Sequence, residues 1–265
     1  IRDVERSRGL GDVYKRQVLL TSDEETGSAE SAPLIMCLAR IVNRALIPEP
    51  STGSEGKLKT SRKGIGRFAI SITGKPAHAG VEPEKGVSAV VELSHVIQKL
   101  HALNNPGTGT TVNVGIVEGG SRVNIVPDTA WAQVDVRVET AEYGRQLEHA
   151  IRSLRPSLEG TTIQIRGGIE RQPMEKTPRN TALWRAAVEA GRRIGLELGE
   201  SHTGGGSDGN LTSLFTATLD GLGGVGGGAH APHEFIYIDK LVERTALMAM
   251  LILADPIESA PEQAD

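Results

Sequence analysis

The stretch Arg67-Phe68-Ala69-Ile70-Ser71-Ile72-Thr73 alternates apolar and polar residues, which places Phe68, Ile70 and Ile72 on one side of a half-buried strand. Further on the period changes. Between Val87 and Leu103, Val90, Leu93, Ile97 and Leu100 recur at helical spacing. Thr111 to Val117 and Thr129 to Val138 alternate again as strands. Leu147, Ile151 and Leu154 mark a second helix, and Thr162-Ile163-Gln164-Ile165 a last strand. The order βαββαβ across residues 64–168 is that of a ferredoxin-like sandwich.

Outside this stretch the pattern is α/β. Val18-Leu19-Leu20 reads as a short buried strand, followed by a polar loop with Asp23, Glu24 and Glu25. A helix is expected from about Ser28 to Arg44, with Ala32, Ile35, Met36, Ala39 and Val42 on one face. Residues 50–64 are rich in Ser, Gly and Lys and read as a linker. After Gly168 come a helix from Thr181 to Ile194, a Gly-rich stretch, and a closing helix from Asp239 to Ala254. The economical organisation is an α/β domain in two segments, 18–63 and 169–258, interrupted by an inserted domain at 64–168 and followed by a tail at 259–265. Ile1 to Gln17 carries eight charges of mixed sign and neither period. It resembles translated sequencing-adapter read-through and is expected to be non-native. It has no apolar core of a signal peptide.

The chain has 265 residues, enough for one or two domains, and is 38% hydrophobic and 23% charged, which excludes a disordered or fibrous protein. With 29 Lys+Arg against 33 Asp+Glu the net charge is -4, which argues against a generally basic nucleic-acid binder. One cysteine, Cys37, excludes a disulfide scaffold and a Cys-rich zinc site; it reads as a small buried hydrophobe on a helix. The longest uncharged apolar run, Thr245 to Ala254, falls short of the roughly 20 residues a membrane span needs. No membrane or nucleic-acid partner is therefore expected, and a cytoplasmic placement is. Ten of the 32 glycines fall between Gly204 and Gly228.

Candidate chemistry lies in the loops. Three adjacent acids at Asp23-Glu24-Glu25, after a strand and before a helix, suit either a cation at the carboxyl end of a sheet or simple helix capping. Glu49 is held between Pro48 and Pro50 on stiff, extended backbone. His230 closes Gly226-Gly227-Gly228-Ala229, where glycines permit close approach to a ligand, and His233 and Glu234 follow. Imidazole with carboxylates and no thiol suits catalytic zinc or a neighbouring transition metal. Gly204 to Gly206 lack a P-loop or Rossmann pattern, so nucleotide binding is rejected. Trp131 and Trp184 read as core, and His95, His101 and His149 as scaffold.

Four motifs occur in order: Asp23-Glu24-Glu25-Thr26-Gly27-Ser28, Gly74-Lys75-Pro76-Ala77-His78-Ala79-Gly80, Thr203 to Asn210, and Asp220 to His230. Together they resemble the di-zinc exopeptidase and amidohydrolase family of glutamate carboxypeptidases, aminoacylases, acetylornithine deacetylases and succinyl-diaminopimelate desuccinylases. The resemblance runs from about Val18 to Ala254. It implies two zinc ions per subunit, or cobalt or manganese, and hydrolysis of amide or peptide bonds by metal-activated water. It assigns Glu24 as general base, Glu25 and His230 as ligands of one metal, and Glu49 as ligand of the other. The inserted sandwich becomes a lid and dimerisation domain, so a homodimer is expected. His78 would reach the neighbouring subunit's site to stabilise the transition state. Arg137, Asn124 and Arg171 would bind the substrate's carboxylate, a group that a guanidinium fork matches bidentately. Gly205 and Gly206 would face that carboxylate with their amides, in a loop ordered by Ser207 and Asp208. His202 and His233 match no ligand position.

The family's His-x-Asp motif and bridging aspartate would precede the acid triplet, and Ile1 to Gln17 contains neither. The expectation is therefore a fragment: a hydrolase acting on small molecules with a free carboxylate, or a catalytically inactive binding and dimerisation remnant. A single-metal hydrolase using Glu25, His230 and a recruited His233 or His202 is a third reading.

Overall fold

The computed structural model describes residues 16–257. Residues 1–15 of the adapter-like stretch 1–17, and the 259–265 tail, lie outside the described residues. In chain order, a 3-10 turn at Glu24–Thr26 precedes helix α1 (Ala32–Ala39) and strands β1 (Arg44–Leu46), β2 (Leu58–Arg62) and β3 (Gly64–Thr73). Helix α2 (Ala89–His101) leads to β4 (Thr111–Gly119) and β5 (Thr129–Val138), and α3 (Ala141–Arg152) to β6 (Thr162–Arg171). Next come α4 (Pro178–Arg193), β7 (Glu200–Thr203), α5 (Asp208–Thr212) and β8 (Ala217–Leu219). A two-residue pair, β9 (Gly226–Gly227) and β10 (Phe235–Ile236), precedes the closing helix α6 (Ile238–Leu253).

Two units emerge, divided at Leu58/Lys59, Thr177/Pro178, Gly199/Glu200 and Leu214/Phe215. The sandwich unit holds a four-stranded sheet in the order β4-β5-β3-β6, with every neighbouring pair antiparallel. The βαββαβ order expected from the sequence is observed. Alternation along β3 buries Phe68, Ile70 and Ile72 to 2%, 0% and 1% exposure, against Leu93, Val96 and Leu100 of α2 and Leu147 and Ile151 of α3. Each such side chain contributes about 1.5–3 kcal/mol of burial. Both helices start on a capping hydroxyl: Ser88 Oγ accepts the Val91 amide at 3.3 Å and Thr140 Oγ1 accepts the Tyr143 amide at 3.1 Å. Trp131, expected in the core, lies instead on the opposite face of β5 and is half-buried, because its neighbours Ala130 and Ala132 take the inward positions.

The sandwich unit is larger than the inserted stretch expected from the sequence. Residues 50–64 are no plain linker, since β2 forms there with Leu58, Thr60 and Arg62 buried. Its inward residues are partly polar, which hides the alternation. Glu200–Leu214 joins this unit because β7 pairs with β2, and Lys63 donates its amide to the Thr203 carbonyl at 3.0 Å.

In the other unit, β1 and β8 run parallel, with Arg44, Ala45 and Leu46 opposite Ala217, Thr218 and Leu219. Around them Leu183 and Ala187 of α4 and Leu247 and Leu251 of α6 form a core with Leu58, Leu219 and Leu222. The strand expected at Val18-Leu19-Leu20 is absent: Val18 and Leu20 are 88% and 89% exposed and pair with no strand. Helix α1 stops at Ala39 rather than Arg44, because Arg44 enters the parallel pairing with β8. Cys37 on α1 is exposed, not buried, since the inward face is taken by Ile35 and Ala39. No helix among the described residues is long and apolar enough to cross a membrane.

Candidate active site

The acid triplet divides its roles. Asp23 closes the loop: its carboxylate accepts the amides of Glu30 at 2.9 Å and Ser31 at 3.1 Å, just before α1. The nearby Ser31 hydroxyl, and the amide hydrogen bonds from Ser31 and Glu30, hold the Asp23 carboxyl below the ordinary carboxylate range. Gly27 and Ser28 turn the chain with φ of 105° and 56°, and the Ser28 amide returns to the Asp23 carbonyl at 2.8 Å. Asp23 therefore braces the loop ahead of α1 and does not cap a helix, since neither it nor Ser31, the N-cap residue of α1, makes a side-chain cap bond. Glu24 and Glu25 lie on the 3-10 turn, the first half-buried and the second exposed.

Glu49 and His230 follow the carboxyl ends of β1 and β8, the end at which parallel α/β sheets carry their ligands. The strands' partnership continues past both ends. Leu222 donates to the Ile47 carbonyl at 3.2 Å, Gly223 to that of Glu49 at 2.9 Å, and Ser51 to that of Gly224 at 3.0 Å. A Cβ on Gly223 would sit 2.2 Å from the Pro48 oxygen, so this approach requires glycine. Glu49 is half-buried. His230, with φ 61°, is exposed on the turn that joins β9 to β10, where Ala231 donates to the Gly228 carbonyl at 2.9 Å.

Among the described residues no three His, Cys, Asp or Glu side chains gather as a metal-holding group. The donors assigned by resemblance, Glu25, Glu49 and His230, are thus of the right chemical kind but are not brought together as a coordinating set. Carboxylates repel one another where no cation draws them in.

The sandwich unit carries two further clusters. After β3, His78 pairs with Ile125 across an isolated bridge, and the Ala79 amide donates to the Asn124 carbonyl at 3.0 Å. His78 and Asn124 are thereby neighbours, both exposed. His78 Nδ1 accepts the Gly80 amide at 3.2 Å, so in the neutral ring the proton sits on Nε2, the outward donor. On β5, Arg137 gives Nε and Nη2 to Asp135 at 2.8 and 3.0 Å and Nη1 to the Gly204 carbonyl at 3.3 Å. Three of a guanidinium's five N–H groups are so committed, which leaves one on each terminal nitrogen. Arg171 at the end of β6 is 8% exposed, its stem against Gly206.

Sequence reading missed the residues that shape the Gly204–Gly206 loop. Arg62, 3% exposed, donates to the carbonyls of Gly205 at 3.0 Å and Gly206 at 3.2 Å. Asn210, fully buried, accepts the Ser207 amide at 3.0 Å and donates to the carbonyls of Lys63 at 3.1 Å and Gln172 at 2.8 Å. Ser207 completes the box by accepting the Gly209 amide at 3.0 Å. No local signal points to Arg62, which sits in a stretch that reads as linker. His202 stands on β7 between the Ser61 hydroxyl, 2.9 Å from Nδ1, and the Glu139 carboxylate, 3.1 Å from Nε2.

Residues 60–160 match the peptidase dimerisation domain. The chain is 30% identical over 256 residues to carboxypeptidase G2 of Pseudomonas sp. strain RS-16, an alignment covering 92% of this chain and 60% of that protein. These matches support the M20 peptidase family for this chain. Among solved structures, the fold of this chain is shared with aminopeptidase PepT of Bacillus cereus, at TM-score 0.71, 24% identity, and coverage of 88% of this chain and 62% of that one. It is shared too with YXEP of Bacillus subtilis, described as a dinuclear metal-binding peptidase of the M20 family, at TM-score 0.61, 18% identity, and coverage of 86% and 62%. The chain thus spans less than two thirds of the length of each of these proteins.

Proposed function

We propose that this M20 chain serves the hydrolysis of an amide or peptide bond in a small substrate with a free carboxylate, as a carboxypeptidase or N-acyl-amino-acid deacylase. The observation that supports this most is the carboxylate seat in the sandwich unit. Arg137 keeps N–H groups on both terminal nitrogens while Asp135 fixes its plane, beside the Gly204 carbonyl that it also holds. A guanidinium so pre-oriented receives a carboxylate with little ordering left to lose. Gly205, Gly206 and Arg171, at the same end of the sheet as Arg137, complete the seat within one chain, while Asn124, beside His78 beyond the opposite end of the β3–β5 pair, would serve the partner's site in a homodimer.

Glu24 is the group that takes a proton from the attacking water as the water oxygen bonds to the amide carbon. That proton then goes to the leaving nitrogen as the C–N bond breaks. His78, with its proton on Nε2, donates to the carbonyl oxygen as negative charge develops there. In a homodimer built through the dimerisation domain, His78 would do so for the partner's site. Zinc, cobalt or manganese, two per subunit, would find its donors in Glu25, Glu49 and His230. As placed these three do not form a binding set, and two catalytic zinc sites at about three protein ligands each need more donors than three.

Calorimetric titration with N-acetyl-L-leucine and with its amide tests the seat. The acid should bind at least about tenfold more tightly, and Arg137→Gln should remove most of that preference, since a charged hydrogen bond contributes about 1.5–3 kcal/mol. Equal binding of acid and amide by the unaltered chain would overturn the reading.

A further inference from the structure

The Gly204–Gly206 loop owes its shape to what holds its carbonyls. Every peptide described is trans, so within one peptide group the C=O and the following N–H point in opposite directions. The Thr203 carbonyl is taken by the Lys63 amide at 3.0 Å, which turns the Gly204 N–H the other way. The Gly205 carbonyl is taken by Arg62 at 3.0 Å, which turns the Gly206 N–H the other way. Neither the Gly204 nor the Gly206 amide has an acceptor among the described residues. The Gly205 amide approaches Thr203 Oγ1 at 3.5 Å, and the Ser207 amide is taken by Asn210. Two N–H groups therefore face away from the residues that pin the loop. Gly206 is also confined: a Cβ there would meet Ile65 Cδ1 at 2.7 Å and Arg171 Cδ at 3.3 Å.

We propose that Arg62 is a positioning residue for substrate binding: by holding the Gly205 and Gly206 carbonyls with its buried guanidinium, it aims the Gly206 amide at the substrate's carboxylate. The inference rests on the carboxylate-seat reading above. It goes beyond it by giving a role to a side chain that cannot touch the substrate, being 3% exposed on β2. Burying a guanidinium is costly unless its donors are met, and two adjacent carbonyls meet one nitrogen here. A Lys ammonium is a compact charge on a shorter, more flexible stem, so it reaches only in part the two carbonyls that Nη1 holds. A Met fills similar volume and holds neither carbonyl. Arg62 and Arg137 thus divide the loop, one taking the carbonyls of Gly205 and Gly206 and the other that of Gly204.

The test uses the full chain labelled with 15N-glycine, titrated with N-acetyl-L-leucine and with N-acetyl-L-leucinamide, and followed by calorimetry and amide resonances. The unaltered chain should prefer the acid, and the Gly206 resonance should move downfield as the acid binds. Arg62→Met should lower the acid-over-amide preference about tenfold, leave amide affinity unchanged, and abolish the Gly206 shift. Arg62→Lys should recover part of the preference, an intermediate that lost folding alone does not produce. Should Arg62→Met fail to fold, seen as collapsed glycine dispersion, the Lys variant decides by a reduced preference in a folded chain. A folded Arg62→Met or Arg62→Lys chain that keeps the full preference and the full downfield Gly206 shift overturns the inference while leaving the seat intact. No preference in the unaltered chain overturns the seat, and this inference falls with it.

Discussion

Replacing Asn210 probes the loop's foundation from the other side. Its side chain is fully buried and makes three hydrogen bonds, accepting from Ser207 and donating to the carbonyls of Lys63 and Gln172. Asn210→Ala leaves one amide and two carbonyls without those partners. At roughly 0.5–1.5 kcal/mol net per bond, and more for a donor left buried and unmet, the loss is about 2–4 kcal/mol. Asn210→Asp keeps the shape and the acceptor for Ser207 but turns a carboxylate oxygen on two carbonyl oxygens. It should therefore cost at least as much as Ala despite being isosteric. Trp131 lies in the sandwich unit and Trp184 in the other. Urea unfolding followed by Trp131 fluorescence in a Trp184→Phe background thus reads the relevant unit. A loss below about 0.5 kcal/mol for Ala, or an Asp variant milder than Ala, would refute the three-bond account.

Glu92, fully buried on α2, accepts the Ser157 amide at 3.0 Å and the Leu158 amide at 2.7 Å. Glu92→Gln should cost the sandwich about 1–3 kcal/mol in the same assay, and a neutral outcome would contradict those bonds. Because Asp23's folded carboxyl is held below its ordinary value, its contribution is present above the unfolded value near 4 and is lost as pH falls through the lower folded one. The Glu30 and Ser31 amide shifts should titrate with a midpoint below about 4 and be flat in Asp23→Asn; a midpoint at or above 4 contradicts the loop closure. After dialysis against metal-free buffer, mass spectrometry should find less than one zinc per chain, because no three ligands gather. Two tightly held zinc ions would show the ligands to be misplaced.

The sandwich was legible because its strands and helices speak in apolar residues. Phe68, Ile70 and Ile72 alternate with period two, and of Val90, Leu93, Ile97 and Leu100 at helical spacing Leu93 and Leu100 are buried and Ile97 partly so, while Val90 is exposed and Val96 is buried instead. β2 was not legible, since two of its three inward residues are Thr60 and Arg62. β1 and β8 are three residues each, too short for any period to register. The candidate site was legible in another way: the roles of Glu24, Glu25, Glu49, His78, Arg137 and His230 come from a family resemblance carried by four motifs in order, not from period or spacing.

Local sequence therefore determined the period, the turns and the motifs of this chain, because these depend on neighbours a few positions away. What only the tertiary structure decided is the partner of each polar group. Val18 to Leu20 are apolar enough for a strand, yet a strand needs another beside it, and these residues stay exposed. Arg62 finds the Gly205 carbonyl 143 positions later, and Asn210 finds that of Lys63 147 positions earlier. A buried guanidinium or amide is tolerable only where such acceptors arrive from elsewhere in the fold, and no pattern in the nearby residues records their arrival.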